Sequence, residues 1–146
     1  MDRSFQAENA RSRERLATLV ARLGEAELGR RVNHSWTVAE TLVHLAFWDL
    51  RAITLIERYG KAGVSPSPAD VDVINDTVRA LAGAILPRAA ARLAAEAAET
   101  VDRRIEALPD AVLEAVGAAG HSFSITRHVH RSEHVDEIER ALSSGG

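Results

Sequence analysis

Helix-forming residues occupy almost the whole chain, and this pattern limits the fold more than any other feature. Alanine is abundant, aromatic residues make up only 4% of the 146 residues, and runs of β-branched residues are nearly missing. These preferences favour helix and disfavour strand along most of the sequence. We therefore expect an all-α protein.

Boundary signals divide the pattern into helical segments. Gly24 ends the first segment, Thr37 and Glu40 have the spacing of a capping box, and Gly60 is a candidate C-cap. Pro87 suits a first helical turn, and Pro109 ends the segment that follows it. The predicted helices span about 3–23, 37–59, 70–84, 87–108 and 124–142.

The order and length of these segments predict a four-helix bundle with one additional short helix, formed by residues 1–146 as a single domain. Residues 110–120 are expected to be a linker with about one helical turn, and residues 143–146 a frayed tail.

Composition and charge exclude several classes of function. The net charge of −3 and pI of about 6.1 give no electrostatic basis for binding nucleic acid or an anionic membrane. Cysteine is absent, which excludes disulfides, thiolate metal ligands and a cysteine nucleophile. No apolar run reaches the roughly 18 residues needed to span a bilayer. Without a signal-peptide pattern at the N-terminus, the cytoplasm is the expected location.

The last helix carries an unusual group of histidines, His128, His130 and His134, half of the six in the chain. His130 and His134 are four residues apart and share a face, whereas His128 points nearly the opposite way. The shared face continues through Phe123, Ile138 and Ala141, which makes it the best candidate for the inward side. A metal ion would satisfy two adjacent imidazoles there. Two surface histidines, or a hydrogen-bonded pair in the core, remain the alternatives.

His44 is the candidate for a third metal ligand. It lies in a segment, Thr41 to Ile56, whose only other ionisable residues are Asp49 and Arg51, so this helix is expected to be central. The alternative is a core histidine bonded to a carbonyl or carboxylate. With His130 and His134, it would give the three protein ligands that a zinc site open to substrate usually has.

The remaining polar and aromatic candidates have weaker signals. His34, His121 and His128 are expected to be exposed or to cap helices, with His128 kept as a reserve ligand. Glu40 and Glu137 lie one turn from predicted ligands and could accept their second N–H groups. The alternatives are that Glu40 serves only as a cap residue and Glu137 as a solvated helix charge. Further residues near the predicted site are the acids Asp49 and Glu133 and two tryptophans, Trp36 and Trp48, as part of a pocket wall between the second and last helices.

Three segments resemble the DinB/YfiT-like superfamily of metalloenzymes: SWTVAETLVHLAFWDLR (residues 35–51), DVDVIND (residues 70–76) and HRSEHVDEIERAL (residues 130–142). The resemblance implies an up-down-down-up four-helix bundle. It also implies a divalent metal ion, typically zinc or nickel, whose ligands match His44, His130 and His134.

The resemblance further implies a small-molecule substrate. Relatives include metal-dependent transferases and isomerases that use a low-molecular-weight thiol such as mycothiol or bacillithiol, among them the N-terminal domains of mycothiol-dependent maleylpyruvate isomerases. A metal-dependent hydrolase and a non-catalytic module that binds a small molecule are the alternatives. Family habit and the apolar second helix also suggest a homodimer.

Overall fold

The computed structural model describes residues 1–144, and over that range the chain is all-helical, as the sequence predicts. Within these residues there is no β-strand, only a single antiparallel bridge between Arg31 and Thr37. None of the helices in this range is both long and apolar enough to cross a membrane. In chain order the helices are α1 (Ser4–Arg22), α2 (Glu25–Leu28), α3 (Val38–Ala62), α4 (Val71–Ala82), α5 (Pro87–Glu106), α6 (Asp110–Ala118) and α7 (His128–Ser144), with a 3-10 turn at Ser122–Ser124.

The longest helix, α3, organises the packing. It contacts α5 most extensively and also contacts α4 and α7, while α1 packs against both α5 and α7. Five alanines on the buried side of α5 leave room for this close approach: Ala90, Ala91, Ala94, Ala97 and Ala98. The up-down-down-up bundle topology and the single domain over residues 1–146 stay predictions.

Two predicted helix starts are confirmed in atomic detail. The Thr37 hydroxyl accepts the Glu40 N–H at 3.1 Å, and the Glu40 carboxylate accepts the Thr37 N–H at 3.1 Å, completing the capping box. Pro87 occupies the first turn of α5, where its missing N–H costs no helical hydrogen bond. These signals are local in sequence, which is why they could be read directly.

Other boundaries differ from the predictions. Helix α3 continues past Gly60 to Ala62, and the glycine that adopts a positive φ at its end is Gly63, at 83°. The predicted linker at 110–120 contains the nine-residue helix α6, because Leu113 and Val116 are buried there. The predicted loop after Gly24 contains the short helix α2.

The last helix also has different ends. It begins at His128, because residues 122–124 form the 3-10 turn, and it includes Ser143 and Ser144 of the predicted frayed tail. Gly145 and Gly146 lie outside the described residues.

The core consists of two apolar clusters. One includes Leu16, Leu42 and Val135, and the other includes Ile56 and Leu113. Along α3 the first cluster ends at residue 46 and the second begins at residue 52. The buried polar residues of α3, including His44 and Asp49, lie within or between these stretches.

Candidate metal centre

The structure brings His44, His130 and His134 together, as the sequence predicts. Their closest ligand nitrogens all lie within 4.8 Å of one another. Nε2 of His44 is 3.0 Å from Nε2 of His130, and the His134 ring centre is 4.7 Å and 4.8 Å from the other two ring centres. His44 projects from α3, and the other two project from successive turns of α7.

The donor set fits a divalent metal ion. Zinc binds imidazole nitrogen at about 2.0–2.1 Å, so two nitrogens bound to one tetrahedral zinc are roughly 3.3 Å apart. The 3.0 Å between the two Nε2 atoms is close to this separation. Three neutral nitrogen ligands with no cysteine correspond to the protein ligands of an open zinc site.

The second nitrogen of each ring has no hydrogen-bond partner in the described part of the chain. Nδ1 of His44, His130 and His134 is buried, and within residues 1–144 none of the three forms a hydrogen bond. Glu137 comes nearest, with Oε1 at 3.8 Å from Nδ1 of His134, which is too long for a hydrogen bond. Of the two roles that the sequence offered for Glu40, the structure shows the helix cap and not a bond to a ligand ring.

Burial keeps the three imidazoles neutral. It lowers the pKa of His44 from its ordinary 6.5 to about 4, helped by the charge of His134. Burial also lowers the pKa of His130 to about 2, with smaller effects from His134 and Arg127. The pKa of His134 falls for the same reason, although Glu137 and Glu133 oppose the change. Neutral imidazole is the form that binds metal.

These pKa values predict how the metal-free protein responds to acid. The folded state holds the rings neutral, whereas the unfolded chain protonates them near pH 6.5, so stability is greatest above that pH. The free energy of unfolding should fall as the pH drops from about 6.5 toward 4. Urea unfolding with a chelator present, at several pH values, measures this. The His130→Gln protein should show a shallower fall than a His34→Gln control, and equal slopes would contradict the assignment of the pKa shift to this cluster.

A cavity of about 610 Å³ opens beside the three histidines. Trp36 and Trp48 line it, as expected for a pocket wall, and so does Glu133. Helix α4 forms a further side, which the sequence did not indicate, and Asn75 on that helix accepts a hydrogen bond from Trp48 Nε1 at 3.0 Å. The volume is in the range of small-molecule sites.

The three other histidines lie elsewhere. His34 is exposed, as predicted. His121 is half-buried, and its Nδ1 lies 2.9 Å from the Tyr59 hydroxyl. His128 is also half-buried rather than exposed, with Nδ1 3.2 Å from the Asn9 side-chain oxygen on α1. His128 is therefore not part of the metal-binding group.

Phe123 departs from its predicted position. It lies in the 3-10 turn before α7 and is 50% exposed, so it does not continue the buried face of that helix. Its ring still approaches His130, with 6.0 Å between ring centres. Ile138, on the same predicted face, is buried.

A buried charge cluster lies behind the histidines, and sequence reasoning missed it. Arg131 binds Asp102 on α5 through two hydrogen bonds of 3.1 Å, and Arg127 Nε donates to Asp49 on α3 at 2.8 Å. Both arginines are only 1% exposed. Asp49, one of the acids that the sequence placed near the site, is thus committed to a core ion pair.

The same region fixes the start of α7. The Asn9 side chain on α1 accepts the His128 N–H at 2.9 Å, and Arg131 donates to the Asn9 carbonyl and the Ser12 hydroxyl. Since Arg131 directly follows His130, these contacts hold the first turn of α7, and with it His130, against α1.

Fold and site together define an all-helical protein with a three-histidine group able to bind a metal ion. Residues 8–131 match the family model of the DinB superfamily, and the chain belongs to that superfamily. His44 and His130 lie within the matched residues, and His134 follows three residues after they end. No curated protein and no solved structure matches the chain significantly.

Proposed function

We propose that this protein is a divalent-metal-dependent enzyme that transfers a small thiol to an organic substrate. The observation that carries the proposal is the convergence of three neutral imidazoles beside an open cavity. His44, His130 and His134 would hold the ion, with zinc or nickel the expected metals. A divalent ion held there would lower the pKa of a thiol or water molecule beside it.

The chain contains no cysteine, so a thiol nucleophile would come from outside the protein. None of the side chains that line the cavity carries a thiol. The lining alcohols are Thr41 and Ser67, and their hydrogen bonds go to groups other than a histidine. Sulfur chemistry in this cavity therefore requires a small thiol as a second substrate.

The cavity residues also suggest separate tasks. Trp36 and Trp48 supply apolar surface that excludes water from a bound substrate. Glu133 and Glu137 are the carboxylates of α7 that line the cavity, so they are the groups available to take up a proton released by the thiol. Glu40 and Asp49 are excluded from that role by their hydrogen bonds elsewhere.

A cobalt-substituted sample tests the proposal. Titration with 2-mercaptoethanol or mycothiol should produce a thiolate-to-metal charge-transfer band, because three protein ligands leave a position free. The metal-free protein and the His130→Ala protein should give no band. An alcohol of the same size is the matched control ligand and should leave the spectrum unchanged.

An unchanged cobalt spectrum at saturating thiol would contradict the transferase proposal. Metal-dependent hydrolysis would then be favoured if an ester or amide substrate is turned over, and a non-catalytic binding module if none is. The homodimer, the cytoplasmic location and the lack of a nucleic-acid partner remain predictions from the sequence.

A further inference from the structure

Arg51 is a cation of the cavity wall whose charge has no counterion among residues 1–144. It follows His44 by seven residues on α3, which corresponds to two helical turns and about 10.5 Å along the helix axis. Trp48 lies between them on the same face, and all three residues line the cavity. Arg51 therefore stands about two turns from the metal-binding nitrogens.

Hydrogen bonds hold the guanidinium of Arg51 in place, but its charge is not neutralised by a carboxylate of the described residues. Its Nη2 donates to the Ser67 carbonyl at 2.9 Å and to the Ser67 hydroxyl at 3.3 Å, and its central carbon lies 5.6 Å from the centre of the Trp48 ring. Among residues 1–144, no carboxylate lies within ion-pair distance of it. The other arginine of the wall, Arg79, is already paired with Asp76 at 3.2 Å.

The acids of the cavity lie on other elements. Glu133 and Glu137 belong to α7 and Asp76 to α4, and Glu137 is the one nearest a ligand ring, that of His134. Arg51 instead contacts the loop that precedes α4 through Ser67. Asp76 is paired with Arg79, and neither of these two glutamates of α7 forms an ion pair with Arg51.

A pair of aromatic rings, Trp48 and Phe123, lies between Arg51 and the histidines. The rings of Trp48 and Phe123 meet edge to face with 6.1 Å between their centres, and Phe123 in turn lies 6.0 Å from the His130 ring. Half of the Phe123 surface is exposed, so its ring is available to a ligand. Such an arrangement suits a planar or apolar group.

We infer that the substrate is an organic anion with an apolar body, bound with its carboxylate on Arg51 and its body against Trp48 and Phe123. The reacting group then lies toward His44 and His130. This inference rests on the proposed function, since it takes the cavity as the substrate site. A guanidinium binds carboxylate through charge-assisted hydrogen bonds, which are about twice as strong as neutral ones.

The two tryptophans of the chain, Trp36 and Trp48, both line the cavity, so tryptophan fluorescence reports binding there directly. The probes are 4-phenylbutyrate and its neutral amide, 4-phenylbutyramide, titrated into metal-free protein with a chelator present. Without metal, a preference for the acid cannot come from coordination. The wild-type protein should bind the acid at least about tenfold more tightly than the amide.

The Arg51→Gln protein should lose this preference while its affinity for the amide stays the same, and Arg51→Lys should keep part of it. Arg92→Gln is the matched control, because Arg92 is exposed on α5 and does not line the cavity. Circular dichroism and zinc content verify that each variant is folded and retains the histidine centre.

Equal affinities for acid and amide in the wild-type protein, no quenching by millimolar acid, or a preference that survives Arg51→Gln would each overturn the inference. The zinc content of each protein, measured separately after zinc loading without chelator, separates this result from the proposed function. If the preference depends on Arg51 but the protein binds no zinc, the anion site is supported and the metal chemistry is not. If the protein binds zinc but shows no preference, the metal site is supported and the anion site is not.

Discussion

The His130→Ala protein should bind zinc more than about 100-fold more weakly than the wild-type protein, since changes to residues that merely support a ligand already cost 10–100-fold. His130 supplies the Nε2 atom that lies 3.0 Å from Nε2 of His44, so its removal leaves only His44 and His134 as ligands. Competition with a chromophoric chelator measures the affinity, and elemental analysis after gel filtration measures the metal per chain.

Two histidines outside the cluster provide controls. His34 is exposed, and the His128 ring contacts Asn9 on α1, so neither change should alter the zinc content. His44→Ala and His134→Ala should behave like His130→Ala. Wild-type zinc content in all three of these variants would show that the cluster is not the metal site.

Thermal unfolding gives an independent measure of the same change. A ligand that binds only the folded state stabilises it by about 4.1 kcal/mol at 1,000 times its dissociation constant. Zinc should therefore raise the melting temperature of the wild-type and His128→Ala proteins. It should have little effect on His130→Ala at the same concentration.

The pattern of each helix was sufficient to predict that His44, His130 and His134 lie close together. The four-residue spacing of His130 and His134 places both rings on one face of any helix, whatever surrounds it. The apolar character of α3 on nearly all sides required that helix to be central, which brought His44 near the other two. Each argument depends on a single helix, and the four-residue error in the start of α7 does not affect either of them.

Features that depend on contacts between distant segments were missed. Arg127, directly before α7, and Arg131, within it, have no sequence feature that marks them as buried. Arg131 reaches Asp102, 29 residues earlier, and Arg127 reaches Asp49, 78 residues earlier. Nothing within a helical window distinguishes a buried arginine from an exposed one. The contribution of α4 to the cavity was missed for the same reason.

Half-buried histidines show a related limit of the sequence. Imidazole is found both in cores and on surfaces, so His121 and His128 gave no signal until their partners, Tyr59 and Asn9, were located. The exposed Phe123 reflects a boundary error. The 3-10 turn at 122–124 shifts its direction relative to α7, and helical periodicity does not apply across that turn.

The Asp102→Asn substitution should destabilise the protein by about 3–5 kcal/mol, the usual cost of leaving a buried charge without its partner. Asp102 accepts two hydrogen bonds from Arg131 and one from Arg13, and its side chain is fully buried. With the charge removed, the remaining carboxylate near Arg131 within residues 1–144 is that of Asp49 at 3.4 Å, and Arg127 shares it. A loss of this size is a large part of the typical 5–15 kcal/mol stability of a folded domain.

Urea unfolding measures the loss, and Glu99→Gln is the matched control. Glu99 lies three residues earlier on α5 and forms an exposed pair with Arg103, so water compensates for the lost charge and the urea midpoint should hardly change. In the Asp102→Asn/Arg131→Met double variant the charge left unpaired by the first change is itself removed. The double variant should therefore lose less stability than the sum of the two single changes, with a coupling of about 0.5–3 kcal/mol. Additive losses, or an Asp102→Asn protein as stable as Glu99→Gln, would mean that the buried cluster does not hold α7 in position behind His130.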